Sequence, residues 1–221
     1  NHAVDYGIDF YAPQTIMTPD GRRIMIGWMQ NWDTSRLHPE ETPWFGQMTL
    51  PRELSVKNGR IYQNPIRELE KLRHNKVEYK DVVFTDTIKL DKVKGRKVDL
   101  EIELEPVEGK ELYKKFAVRF AQDCQYHTAV SFRPYESILK VDRKFSGSRR
   151  AAIHQRRSQV SSENGKIKLR LILDWFSAEI FVNDGEQVMT ITLYTDQAAD
   201  GISFFADGSV KMNVVKYDLI G

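Results

Sequence analysis

Two short strands near the amino terminus, joined by a tight turn, restrict this chain to folds built from antiparallel sheet. The turn is predicted at residues 18–21 (Thr-Pro-Asp-Gly), where proline presets one corner and Asp-Gly tolerates unusual backbone dihedrals. The strand after it, residues 24–29, is apolar on both faces, which indicates that it is covered on both sides. The strand before it, residues 5–14, carries carboxylates at Asp5 and Asp9 among aromatic residues.

The residue types around this hairpin favour a carbohydrate site. Aromatic rings stack on the apolar faces of sugar rings, and carboxylates accept hydrogen bonds from sugar hydroxyls. Asp9 and Trp28 are the main candidates for binding a substrate, and Asp5 is a third. A structural alternative stands beside this one, in which Asp9 caps a strand end and Trp28 belongs to the core. The residues alone leave both alternatives open.

The rest of the chain predicts strands at regular spacing and a single helix. Residues 57–60 carry an Asn-Gly hairpin signal. In residues 64–73, Asn-Pro precedes apolar residues at helical spacing, so we predict a capped α-helix that connects two domains. From Val77 onward the chain alternates apolar and polar residues between glycine turns, which predicts a two-sheet β-sandwich.

Composition and charge exclude several classes of function. The 221 residues carry a formal net charge of +2, so no strong field directs the protein to nucleic acid or to a membrane surface. The single cysteine cannot form an internal disulfide, and no apolar run is long enough to cross a bilayer. Its five histidines lack metal-ligand spacing, and no glycine-rich phosphate loop is present. We therefore predict no cofactor, no metal, no nucleic acid and no membrane partner.

An arginine-rich run at residues 149–157 is the one strong charge cluster. It could bind phosphate or nucleic acid, because arginine neutralises phosphate groups. The aromatic residues expected of single-strand binding are not interleaved with it. We therefore favour a solvated strand and loop on the sandwich.

Four motifs carry a family resemblance. An Asp-x-Gly-x-Asp-Phe-Tyr-Ala run occupies residues 5–12, and a Gly-Arg-Arg-Ile-x-Ile-Gly-Trp-Met strand occupies residues 21–29. A Trp-x-Gly-x-x-Thr-Leu-Pro-Arg-Glu-Leu segment follows at residues 44–54, and an Asp-Trp-Phe-Ser-Ala-Glu-Ile-Phe-Val-Asn-Asp-Gly segment lies at residues 174–185. Together they resemble glycoside hydrolase family 32, which contains invertases, sucrose-6-phosphate hydrolases, levanases and inulinases.

The resemblance implies an all-β fold in three parts. Residues 1–63 would form the last blades of a five-bladed catalytic β-propeller, residues 64–74 a linker helix, and residues 75–221 a carboxyl-terminal β-sandwich. Asp9 would bind a sugar hydroxyl at the rim of the propeller funnel, with Asp5 in a similar role. Trp28 would stack on the fructose ring, and Trp32 and Trp44 would line the leaving-group side. The Arg52–Glu53 pair would tie blade to blade.

The family's catalytic motifs are missing from the sequence. Its nucleophile belongs to Asn-Asp-Pro-Asn-Gly, its transition-state-binding Asp to Arg-Asp-Pro and its acid/base to Glu-Cys, and none of these occurs here. No catalytic residue is therefore predicted in this chain, which resembles the carboxyl-terminal half of such an enzyme and is expected to be inactive alone.

We expect the whole protein to cleave terminal β-D-fructofuranosyl bonds in sucrose or fructo-oligosaccharides. Its expected partners are that substrate, the missing amino-terminal half of the propeller and a second copy in a homo-oligomer. We expect a cytoplasmic protein, as many bacterial sucrose-cleaving members are, while a secreted one stays open because a signal peptide would lie upstream of Asn1. The alternative function is a non-catalytic carbohydrate-binding or assembly module with a lectin-like sandwich.

Overall fold

A computed structural model describes residues 2–33, 46–147 and 152–220, which fold almost entirely into antiparallel strands. The first four strands form one sheet in the order β1-β2-β3-β4, the meander arrangement of a propeller blade. Their bounds are β1 (Tyr11–Met17), β2 (Arg23–Trp28), β3 (Arg52–Lys57) and β4 (Arg60–Pro65).

Both hairpins predicted in this first sheet are confirmed. Between β1 and β2 the Gly21 amide donates to the Thr18 carbonyl, and the Thr18 amide donates to the Arg22 carbonyl. Between β3 and β4 the central residues Asn58 and Gly59 have φ values of 51° and 73°, as a primed hairpin turn requires.

The prediction of an α-helix over residues 64–73 was wrong in helix type and in extent, because the first of these residues make tertiary contacts instead. The observed helix is a 3-10 helix, Arg67–Leu72, with no side-chain cap from the preceding residue. Pro65 is instead the last residue of β4, and the side-chain amide of Asn64 donates to the backbone carbonyl of Asp184 in the sandwich. Glu53 supplies the carboxylate that accepts the Arg67 amide, at 2.9 Å.

The second part of the chain is a sandwich of ten strands. In hydrogen-bonded order they run β10-β9-β8-β7-β14-β6-β11-β12-β13, with β5 along the other side of β14. Their bounds are β5 (Arg73–Ile88), β6 (Val98–Pro106), β7 (Lys115–Gln122), β8 (Thr128–Arg133), β9 (Ile138–Asp142), β10 (Gln155–Gln159), β11 (Ile167–Asp174), β12 (Ser177–Val182), β13 (Gln187–Thr192) and β14 (Gly201–Leu219).

The long strand β14 belongs to both sheets of the sandwich. Its residues 201–207 pair with β7, and its residues 210–218 pair with β6. The bend between these halves lies at Gly208, whose φ of 96° and whose closeness to the Tyr113 backbone both exclude a β-carbon without strain. Strand β5 follows β14 through both halves. The main apolar core fills the space between the sheets.

The sequence predicted that residues 5–9 would begin the first strand. In the structure they precede β1 and lie along the edge of β13. The amides of Tyr6 and Ile8 each donate at 2.9 Å to backbone carbonyls of β13. A β-carbon on Gly7 would stand 2.1 Å from the Thr190 amide nitrogen, so this close approach requires glycine. Ile8 joins the sandwich core. Among the described residues, no helix has the length and apolar character needed to span a membrane.

Candidate functional site

Three aromatic side chains form a platform at one end of the first sheet. Tyr11 begins β1 and Trp28 ends β2; they pair across the two strands, and their ring centroids lie 6.4 Å apart. Trp32 stands edge-on to Tyr11, with centroids 5.6 Å apart. Tyr11 is 45% exposed and Trp32 is 70% exposed, so both side chains are accessible at the surface. We call Tyr11, Trp28 and Trp32 the aromatic platform.

The backbone at Gly46 positions the Trp28 indole. A β-carbon built at Gly46 would lie 3.1 Å from the indole Nε1, and the φ of this glycine is 89°. Trp28 also forms an isolated backbone bridge with Met48. The backbone at Gly46 therefore packs against the Trp28 indole and restricts its orientation. Trp44, the remaining tryptophan predicted here, lies outside the described residues.

Asp9 lies away from this platform, in a buried contact with the sandwich. Its side chain is fully buried, and Oδ2 accepts a 2.6 Å hydrogen bond from Arg143 Nη1. The same oxygen accepts the Thr192 amide at 2.8 Å. Arg143 follows β9, and Thr192 ends β13, so Asp9 anchors the amino-terminal segment to both of these parts of the sandwich.

Asp5 is likewise buried, in a second network centred on Arg52. Asp5 Oδ2 accepts Arg52 Nη1 at 3.0 Å and the Thr190 hydroxyl at 2.6 Å. Its Oδ1 accepts the amides of Gly7 and Thr190. Because both oxygens are used, Asp5 shapes the turn at Gly7 and holds it against β13.

Arg52 connects the first sheet to the sandwich, rather than blade to blade as the sequence predicted. Its Nε and Nη2 donate to Glu179 Oε2 at 2.9 and 2.7 Å, and its guanidinium lies over the rings of Phe10 and Phe181. Glu179 Oε1 accepts the Leu50 amide at 2.6 Å. Burial raises the pKa of the Glu179 carboxyl, and the charge of Arg52 opposes that rise. Glu179 thus has a structural role in its motif.

Of the three predicted substrate-binding residues, the structure places only Trp28 on an accessible surface. Asp5 and Asp9 are buried and hydrogen-bonded to arginines, and any further chain docking on the first sheet could only cover them more. The burial of Asp9 agrees with the structural alternative given for it, and substrate binding by Asp5 and Asp9 stays a prediction. For Trp28, substrate binding stays a prediction.

The sequence analysis missed two features of this region. Arg143, the partner of Asp9, is 134 residues away along the chain, and no local pattern relates the two. Tyr11 was not among the predicted binding residues, but its side chain is a substantial part of the platform. Its position at the start of β1, opposite Trp28, was the available signal. Within residues 2–33, 46–147 and 152–220, no cluster of His, Cys, Asp and Glu is arranged to hold a metal ion.

Comparison with protein families covers almost the whole chain. The model for the glycosyl hydrolases family 32 N-terminal domain matches residues 1–65, and the model for the family 32 C-terminal domain matches residues 68–219. The chain belongs to glycoside hydrolase family 32. This confirms the resemblance and the predicted architecture, in which the end of a propeller is followed by a sandwich.

Individual relatives agree with the family assignment. A sucrose-6-phosphate hydrolase from Staphylococcus xylosus is 36% identical over 222 residues, covering 100% of this chain and 44% of the relative. A levanase from Bacillus sp. (strain L7) is 33% identical, covering 96% of this chain and 24% of the relative. The chain therefore spans less than half the length of these family 32 relatives.

Solved structures show the same fold. The exo-inulinase from Aspergillus awamori has a TM-score of 0.84 at 18% identity, covering 99% of this chain and 44% of that chain. A Bombyx mori family 32 β-fructofuranosidase mutant in complex with sucrose has a TM-score of 0.72 at 27% identity, covering 99% of this chain and 42% of that chain.

Proposed function

We propose that the protein containing this chain hydrolyses terminal β-D-fructofuranosyl bonds in sucrose or fructans with retention of configuration. In this proposal the chain supplies the sandwich and one wall of the substrate pocket, and the catalytic carboxylates are contributed by sequence outside it. The observation that carries the proposal is the match of both family 32 domain models, in order, along the chain. The named relatives are sucrose-6-phosphate hydrolases and levanases.

The chemistry explains why this chain needs further carboxylates. Retaining hydrolysis requires a nucleophilic carboxylate and an acid/base about 5 Å apart. Asp5, Asp9 and Glu179 each bind an arginine in a buried network. These three carboxylates therefore support the fold, and the sequence lacks all three catalytic motifs of the family.

The aromatic platform is the part of the chain that we assign to substrate binding. Tyr11, Trp28 and Trp32 offer ring faces suited to the apolar faces of a fructosyl or glucosyl unit. The hydroxyl-binding groups would come from the rest of the propeller. Trp28 is held by Gly46, so its ring is preorganised for such stacking.

Replacement of the Trp28 ring tests this assignment. We expect Trp28→Leu to raise KM for sucrose by about tenfold with a smaller effect on kcat, because stacking contributes to substrate binding. Trp175→Leu is the matched control, since Trp175 is a partly exposed tryptophan on the turn between β11 and β12 of the sandwich. An unchanged KM in Trp28→Leu, or an equal rise in the control, would remove Trp28 from the site.

The role of the missing half is tested by comparing the 221-residue chain with the complete protein. The first sheet carries exposed apolar side chains that a further propeller half would cover: Ile16, Met17, Ile26, Met48, Val56 and Ile61. We expect fructose release from sucrose or sucrose-6-phosphate by the complete protein and none by the chain alone. Cleavage by the chain alone would contradict the proposal. Glycan binding by residues 75–221, without hydrolysis by any form, would favour the carbohydrate-binding module.

A further inference from the structure

A small cavity on the outer face of the sandwich is lined by four cationic side chains. Its volume is about 40 Å³, and the cations are Lys115, Arg133, Lys140 and Arg157. They come from four neighbouring strands, β7, β8, β9 and β10. Lys140 is directly opposite Ser131 on one side and Arg157 on the other, so these side chains share one face of the sheet.

The carboxylates near this cavity do not balance its positive charge. Glu136 is the one carboxylate in its lining, and it accepts a 3.2 Å hydrogen bond from Arg133. Lys140 binds Asp142 at 2.8 Å, outside the lining. Lys115 lies 5.9 Å from the centroid of the Phe205 ring, and Arg157 forms no ion pair with the described residues. Burial, then the charges of Lys140 and Arg133, lower the pKa of Lys115.

Ser131 adds a hydroxyl to the lining of the cavity. Its side chain lines the cavity, and the residue is only 5% exposed. Across the part of the chain that the structure describes, the Ser131 hydroxyl makes no hydrogen bond. The Ser131 hydroxyl is therefore available to donate a hydrogen bond to a ligand in the cavity.

We propose that this cavity binds the phosphoryl group of a small phosphate-bearing anion, either free phosphate or a sugar phosphate. Lysine and arginine provide charge-assisted hydrogen bonds to the phosphoryl oxygens, and the Ser131 hydroxyl donates a further one. The cavity accepts only the phosphoryl group, so the rest of a sugar phosphate would remain outside. This site lies on the sandwich and is independent of the proposed glycosidase activity.

Calorimetric titration of the purified protein with inorganic phosphate at low ionic strength tests the site. We expect saturable binding that Lys140→Gln weakens by about tenfold and that Ser131→Ala also weakens. Arg157→Gln is a second variant on an exposed strand, and it keeps the test valid if Lys140→Gln fails to fold. Lys80→Gln is the matched control, because Lys80 is an exposed lysine on β5 of the same sandwich.

Glucose 6-phosphate, titrated in parallel, distinguishes the two sources of the anion. Tighter binding of glucose 6-phosphate than of phosphate would assign the site to a sugar phosphate, and equal binding would assign it to free phosphate. No saturable binding of either would overturn the proposal. Binding that Lys140→Gln and Arg157→Gln leave unchanged, or that Lys80→Gln weakens equally, would also overturn it.

Discussion

Arg52 uses every one of its N–H groups to join separate parts of the chain. Two of its five hydrogen bonds go to Glu179, and the others go to Asp5, Gln63 and the Thr190 hydroxyl. The guanidinium is fully buried. Two carboxylates are therefore buried with a single guanidinium, and removal of that guanidinium would leave both of them uncompensated.

Removal of the Arg52 charge should lower the free energy of unfolding far more than removal of a surface charge does. We expect Arg52→Gln to lower the free energy of unfolding by about 3 to 5 kcal/mol, because it leaves buried carboxylates uncompensated. Arg60→Gln is the control; Arg60 is exposed and pairs with Glu186, so we expect a loss of about 0 to 1 kcal/mol. Denaturant unfolding measures both, and similar losses for the two variants would contradict the buried network.

At the scale of elements, two carboxylates, Glu53 and Glu68, attach the 3-10 helix to the first sheet. Glu53 on β3 binds Arg67 at the start of the helix and Arg22 before β2. Hydrogen bonds from the Arg67 side chain, with smaller contributions from Arg22, lower the pKa of Glu53 to about 2. The carboxylate thus takes the place of the Asn64 cap that the sequence predicted.

The lowered pKa of Glu53 makes its contribution to stability depend on pH. Its folded pKa lies below the ordinary value of 4.5, so the stabilisation is complete above about pH 4.5 and is lost as the pH falls through about 2. We expect Glu53→Gln to lower the free energy of unfolding at pH 7 by about 1 to 2 kcal/mol. The difference from wild type should shrink toward pH 2. Glu70→Gln, on an exposed side chain of the same helix, should show no such trend.

Strand β5 shows how an element protects a free edge. It pairs with β14 on one side only, over 16 residues, and its pairing is interrupted three times. Near these interruptions Asn75, Asp81 and Asp86 have positive φ angles of 50°, 52° and 61°. Such bulges twist an edge strand and break the regular row of backbone groups that a second chain could extend. The Asp81 amide is satisfied within the chain by the Asn213 side chain.

For the whole molecule, the features that could be predicted from the sequence are those determined by local signals and by family motifs. The hairpin turns at Gly21 and Asn58–Gly59 depend on residues within a few positions, and the structure contains them. The two-domain architecture followed from the family motifs. Contacts between distant segments were not predictable, because nothing near Asp9 indicates Arg143. The predicted helix was too long for the same reason, since Asn64 binds the sandwich and Pro65 belongs to β4.

The candidate site was predicted only in part, for a physical reason. A carboxylate among aromatic residues can bind either a sugar hydroxyl or an arginine side chain. The sequence does not reveal whether that carboxylate is buried or exposed. The structure separates them, because the rings at Tyr11 and Trp28 lie at an accessible end of the sheet while Asp5 and Asp9 are turned into the sandwich. Similarly, Asp99 alternates with apolar residues along β6, yet its side chain is buried and binds Arg73 and Arg170.

The sharing of β14 between both sheets governs how the sandwich comes apart. One strand supplies hydrogen-bonding partners to β7 through its first half and to β6 through its second, with β5 alongside both. If β14 detaches from one sheet, the other sheet loses its central strand as well. The two sheets should therefore form one cooperative unit, in which the slowest-exchanging amides of β6 and β7 open together in a single event.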